Sequence, residues 1–170
     1  MRTKDVEVKQ ESIGDFGADT LILPIPGDRL SENETLRTVL TEAGQDVLPA
    51  LENDLPLRPG NVSVTPGGDL NYERIVHIPV QSAPGVPTTE ENLQVGLRSG
   101  LVAADEEGTR TVALPQIIPE DQRDEVNYES TAETVIRDLL QYPPAHFSQL
   151  TLISQDPDWT DALKNQLTEP

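Results

Sequence analysis

Short apolar stretches alternate with longer amphipathic ones along the chain. Val6-Glu7-Val8-Lys9 alternates apolar and polar residues, as a half-buried strand does, and residues 13–17 follow as a turn. Thr20-Leu21-Ile22-Leu23-Pro24-Ile25 is a continuous apolar run, the pattern of a central strand buried on both faces, and Pro26-Gly27-Asp28 ends it. Residues 61–65 and 74–80 read as two further strands joined by a turn-rich segment, which makes a hairpin. Residues 111–115 and 149–154 complete six strands.

The longer segments carry apolar residues at helical spacing. Ser31 with Glu34, Thr88 with Glu91, and Ser130 with Glu133 have the spacing of a capping box and mark three helix starts. The first helix carries Leu36, Val39, Leu40, Ala43, Val47, Leu48 and Leu51, with Gly44 and Pro49 placed to break or kink its second half. The second carries Leu93, Leu97, Leu101 and Ala104 and stops at Gly108. Gly96 and Gly100 lie inside it, each costing about 1 kcal/mol relative to Ala, so a close approach to a neighbouring element is expected there. Ala132, Val135, Ile136, Leu139 and Leu140 face one side of the third, which Pro143-Pro144 closes. Asp156 caps the fourth, with Pro157 at its first position and Trp159, Leu163 and Leu167 following at four-residue spacing. The order ββαββαβαβα predicts an α/β protein: a three-layer α/β/α fold with a mixed, mostly parallel six-stranded sheet and about four helices. Nothing in residues 1–170 reads as a linker or internal repeat, so a single domain is expected.

Charge changes the picture. Of 170 residues, 30 are Asp or Glu and 12 are Lys or Arg, a net charge of −18. That excludes nucleic acid and anionic membrane surfaces as partners, since both demand clustered cations. The acids are spread through every segment and Arg outnumbers Lys nine to three, the composition expected of a halophilic protein whose self-repulsion is screened by salt. No apolar run is long enough to span a membrane and Met1 to Lys4 leads into Asp5 and Glu7, so a cytoplasmic location is expected. The chain has no Cys, hence no disulfide or thiolate chemistry.

Several strings then resemble a macro domain, the α/β module that in many relatives binds ADP-ribose or removes it from proteins. Residues 8–13 with 18–22 are similar to that family's first strand, turn and second strand. Gly60-Asn61-Val62-Ser63-Val64-Thr65-Pro66-Gly67-Gly68-Asp69-Leu70 and Arg74-Ile75-Val76-His77 resemble its central hairpin, and residues 97–104 with Thr111-Val112-Ala113-Leu114-Pro115 its next helix and strand. The resemblance implies where ligand groups belong, and there this chain differs. The position of the family's adenine-reading Asp falls on Ser12. Its Asn-Ala-Ala-Asn string falls on Leu23 to Gly27, without an amide side chain. Its first phosphate loop falls on Asp28 to Asn33, with no glycine. Its second falls on Ile118-Pro119-Glu120-Asp121-Gln122-Arg123, and its adenine-stacking aromatic on Ser154. Pro119 has no N–H to offer phosphate, and the acids around it repel one.

Other candidate chemistry is sparse. His77 sits between Val76 and Ile78 and reads as a satisfied core residue, and no second His stands at metal spacing. Asp105-Glu106-Glu107 reads as a helix end, Asp156, Asp158 and Asp161 as a helix start, and residues 120–129 as a solvated acidic loop. There is no nucleophile elbow, nucleotide phosphate loop or zinc-protease motif. No catalytic residue, metal or cofactor is assigned. The expected function is a divergent macro-like pocket holding a nucleoside or ADP-ribose-related small ligand at the C-terminal ends of the strands, walled by Ser12, Ile13, Pro24, Gly27, Gln116, Ile117 and Ser154. The alternative is a non-catalytic interaction or structural protein on the same scaffold, acting through a protein partner or as a homo-oligomer. An ADP-ribose ester hydrolase is the least supported of the three.

Overall fold

The computed structural model describes residues 1–28, 34–82, 86–106, 108–117 and 126–168. Six strands, β1 (Val6–Lys9), β2 (Ala18–Pro26), β3 (Ser63–Pro66), β4 (Tyr72–Gln81), β5 (Thr111–Pro115) and β6 (Gln149–Ile153), form one sheet in the order β1-β6-β5-β2-β4-β3. Five of them run parallel, and β3 alone is antiparallel, pairing with β4 from Ser63↔His77 to Pro66↔Arg74 as the hairpin expected from the sequence.

Alternation along the strands divides the core between two faces. Leu21, Leu23, Ile25, Ile75, Ala113 and Ile153 point to one face, where α1 (Glu34–Glu42) and α2 (Val47–Asp54) cover them with Leu36, Leu40, Val47 and Leu51. Ile22, Val76, Ile78, Val112, Leu114, Leu150 and Leu152 point to the other, under α3 (Glu90–Glu106), α4 (Tyr128–Gln141) and α5 (Pro157–Thr168). The architecture is therefore three-layered α/β/α. Among the described residues five α-helices stand where about four were expected, because the first amphipathic segment is two helices. Gly44 separates them at φ +114°, a conformation that breaks the helix and that an L side chain rarely adopts. Pro49 is accommodated near the start of α2, where its missing N–H breaks no helical bond.

The helix starts differ in detail. The Thr89 hydroxyl, not that of Thr88, accepts the Asn92 N–H at 3.1 Å, so the second predicted cap moves by one residue. Asn127 accepts the Ser130 N–H at 3.1 Å and caps α4, one turn before the Ser130 start that was expected. Asp156 caps α5 as expected, its Oδ1 accepting the Asp158 N–H at 3.0 Å. The Ser31 cap lies outside the described residues. The glycines in α3 have the predicted cause: a Cβ on Gly100 would stand 2.8 Å from Ile22 Cγ2 and 3.0 Å from Ile78 Cγ2. Among the described residues no helix is long and apolar enough to cross a membrane.

The join between β2 and β5 is short. Only Thr20↔Val112 and Leu21↔Ala113 pair, although β2 continues beside β4 to Pro26. Pro24 and Pro26 thus lie on a stretch paired on one side only, the edge-like setting that tolerates a residue without an N–H. The chain leaves β2 toward β4 and leaves β5 toward β6, so this join is the topological switch point of the sheet.

Candidate functional site

All five parallel strands deliver their C-terminal ends to one edge of the sheet, and the β2–β5 ladder stops short of it. A cleft of about 1060 Å³ opens there, within reach of a nucleoside-sized molecule. Its wall is formed by the turn after β1, the ends of β2 and β4, the segments after β5 and β6, and residues of α1. Its apolar lining includes Leu23, Pro24, Ile25, Val39, Ile117 and Ile153.

Four polar groups on the β5–β6 side close into a hydrogen-bonded ring. Ser154 Oγ donates to Gln116 Oε1 at 2.9 Å, and Gln116 Nε2 donates to the Tyr128 hydroxyl at 3.2 Å. That hydroxyl donates to Asp156 Oδ2 at 2.7 Å, and the Asp156 N–H returns to Ser154 Oγ at 3.0 Å. The ring fixes Gln116 and Ser154 in one orientation. A primary amide has two donors, so Gln116 has a second N–H beyond the one given to Tyr128. Tyr128 is itself held by Trp159, their rings 5.5 Å apart and edge to face.

On the opposite side the turn after β1 is self-bonded. Ser12 Oγ donates to Asp15 Oδ2 at 2.9 Å and accepts the Asp15 N–H at 3.2 Å. The Ile13 carbonyl accepts the Tyr72 hydroxyl at 2.8 Å, and burial, with Glu11 adding to it, pushes that hydroxyl's pKa up. Glu42, from the last turn of α1, reaches across, its Oε2 3.8 Å from where a Cβ on Gly14 would stand.

The structure thus brings Ser12, Ile13, Pro24, Gln116, Ile117 and Ser154 to one cleft. Gly27 is not among the described residues that line the cleft. Its N–H donates to the Gln81 carbonyl at 2.7 Å, its carbonyl accepts the Leu57 N–H at 2.6 Å, and a Cβ there would collide with the Leu57 carbonyl. It fastens the end of β2 to the segment after α2 instead. The sequence reading passed over Glu11, Asp15, Glu42 and Tyr128. The carboxylates look like any of 30 acids, and Tyr128 reaches the ring only through the fold. Of the two expected phosphate-loop positions, 29–33 and 118–123 lie outside the described residues.

The remaining candidates sit elsewhere. His77 is 0% exposed, and Thr65 Oγ1 meets its Nε2 at 2.9 Å, but its Nδ1 has no hydrogen-bond partner among the described residues, so it is a core residue only half satisfied. Burial pulls its pKa down to about 3, against a small opposing pull from Asp54. Asp105 accepts the N–H groups of Ala145 (2.6 Å), His146 (2.7 Å) and Phe147 (3.3 Å) and the Tyr142 hydroxyl (3.0 Å). Burial opposes its charge, yet those four donors hold its carboxyl below the usual range. Burial and then Asp105 push the Tyr142 hydroxyl up to about 12. Among the described residues no three His, Asp or Glu side chains gather as a metal site.

Comparison with known proteins matches this architecture. A relative from Aquifex aeolicus (strain VF5), an uncharacterized protein, is 22% identical over 169 residues, covering 96% of this chain and 98% of its own. An Oceanobacillus iheyensis macrodomain mutant with ADPR superposes with a TM-score of 0.81 at 17% identity, covering 98% of this chain and 95% of that one. A Trypanosoma brucei macrodomain in complex with ADP gives 0.80 at 13% identity, over 96% of this chain and 69% of that one. The macro domain of ganglioside induced differentiation associated protein 2 gives 0.80 at 16%, over 96% and 82%. The family model for the macro domain matches residues 35–119, from α1 through the switch-point strand β5 and into the segment after it. That span is half of the chain and contains both strands that pair with β2, so the chain belongs to the macro domain family.

Proposed function

We propose that this protein binds a nucleoside or a related small fragment of ADP-ribose in the cleft, without the diphosphate contacts its family resemblance would imply. The carrying observation is that the cleft is open: Pro24, Pro26 and Ile117 line it rather than fill it. The fixed Gln116–Ser154 ring offers directional hydrogen bonds beside apolar lining residues on which a flat base could pack. Relatives of the same fold were solved with ADP and ADPR, which supports a nucleotide-like shape for the occupant. Calorimetry with adenosine, AMP and ADP-ribose in high salt tests the reading. Adenosine should bind and ADP-ribose should gain nothing from its diphosphate. Micromolar ADP-ribose binding, tighter than adenosine, would overturn the loss of the diphosphate contacts.

We infer further, from the net charge of −18, that the protein works in concentrated salt. Urea midpoints measured across a KCl series should rise with salt. A flat series would remove the inference.

A further inference from the structure

The hydrogen-bonded ring beside the cleft has a direction, and Asp156 sets it at both ends. The Asp156 N–H can only donate, so Ser154 Oγ accepts it, and the one Ser154 hydroxyl hydrogen goes on to Gln116 Oε1. The Asp156 carboxylate, when ionised, can only accept, so it takes the one Tyr128 hydroxyl hydrogen and leaves the phenol oxygen to accept from Gln116 Nε2. Turning the Gln116 amide over would set its oxygen against a phenol oxygen whose hydrogen is already given, and would leave the Ser154 hydrogen facing an NH2 group. The amide is thus held one way round. Gln116 and Ser154 line the cleft, and Gln116 bonds only to Ser154 and Tyr128 among the described residues, so its second N–H is a donor still to be used.

We propose that Gln116 is a specificity-determining residue of the cleft, its second N–H donating to an unprotonated ring nitrogen of a purine base, and that Tyr128 is the positioning residue that holds the amide for it. This rests on the nucleoside reading of the cleft. Ile117 and Ile153, the chain neighbours of Gln116 and Ser154, also line the cleft and give the base apolar contact next to the amide. The cleft's carboxylates, when ionised, accept the hydrogens of an exocyclic amine or of ribose hydroxyls, but they offer nothing to a ring nitrogen, which brings only a lone pair. A fixed donor supplies what that nitrogen needs, and leaving the donor against a C–H instead is penalised because the ring does not let it turn away. Tyr128 is not among the described residues that line the cleft. It acts through Gln116, its own ring set edge to face against Trp159 with 5.5 Å between centroids.

The test removes the ligand's ring nitrogens one at a time. Calorimetry in about 1 M KCl, where the charge of the wall is screened, compares adenosine with 1-deaza-, 3-deaza- and 7-deazaadenosine, each carrying a C–H in place of one ring nitrogen. With the parent protein, one of the three analogues should bind about fivefold more weakly than adenosine or worse, the effect of leaving the amide N–H unpaired. Gln116→Met, which keeps the stem and removes the amide, should abolish that difference. Tyr128→Phe keeps the ring against Trp159 and removes the hydroxyl that fixes the amide, so its difference should fall between the two. Urea melts verify folding. Gln116→Glu, which keeps an acceptor for Ser154 but has no donor, replaces Gln116→Met if the latter does not fold, and with it the same analogue should bind at least as tightly as adenosine. If adenosine binds and all three analogues match it, or if the difference survives in the Gln116 variant, the role of Gln116 is overturned and the nucleoside reading stands. A difference unchanged in Tyr128→Phe overturns the positioning role. No binding by adenosine or any analogue overturns the nucleoside reading and this inference together.

Discussion

Asp105 and Glu42 are both acids in the last turn of a helix, where the dipole disfavours negative charge. Asp105 is 5% exposed and has four donors around it, three of them backbone N–H groups of the segment that leads into β6. Glu42 is exposed at the cleft with no ion pair among the described residues. The same misfit with the dipole is repaired within the chain at Asp105 and left unrepaired at Glu42. A completed carboxylate is part of the structure, and an uncompleted one is left to solvent.

The largest test of that contrast is Asp105→Ala. It strands three N–H groups and a hydroxyl, each a loss of roughly 1–3 kcal/mol when buried, so a destabilisation of about 3–5 kcal/mol at pH 7 is expected in a urea melt. The sign with pH follows from the lowered carboxyl. Its stabilisation is complete above the ordinary aspartate value of 3.8 and is lost as pH falls through the lower native value. The difference between parent and variant should therefore persist down to about pH 4 and close below it. A penalty under 1 kcal/mol at neutral pH would mean the donors find other acceptors and the contrast is empty.

His77 gives the next largest effect. Held neutral with a pKa near 3 against an ordinary 6.5, it takes up its proton only on unfolding between those values. Stability should fall as pH drops below 6.5, by about 1.4 kcal/mol per unit from this one group. His77→Gln should lack that component, seen as a shallower slope of unfolding free energy between pH 6.5 and 4.5. Equal slopes would show that a proton reaches the native imidazole.

Smallest is Glu42→Gln, which should stabilise the chain by about 0.3–1 kcal/mol at low salt and by nothing measurable at about 1 M. Destabilisation instead would mean that Glu42 has a structural partner and that the two helix ends are alike.

The strands were legible because their signal is local: the alternation at Val6–Lys9 and the unbroken run from Thr20 to Ile25 each specify a strand. Helix starts were less so. Thr88 and Thr89 are both hydroxyl residues, and the Ser130–Glu133 spacing repeats inside a helix that Asn127 had already begun, so the motif fixes a neighbourhood and geometry selects the residue. That a cleft opens at the C-terminal ends of the strands followed from the parallel order of the sheet. The Asp105 clasp and the Tyr128 ring did not, because their partners lie 37–42 and 12–28 residues away and nothing local marks them.

The two-residue ladder between β2 and β5 makes the sheet a pair of strand triplets, β1-β6-β5 and β2-β4-β3, stitched at one end. The stitches are dense: Asp19 Oδ2 accepts the N–H groups of Arg110 and Thr111, the Thr111 hydroxyl accepts the Asp19 N–H, and Thr20 meets Thr109 at 2.6 Å. At the other end both triplets line the cleft. On the proposed reading, an occupant touching Pro24 on one side and Gln116 on the other would fasten the two halves, and its grip would be measured as much in the rigidity of the whole sheet as in its own affinity.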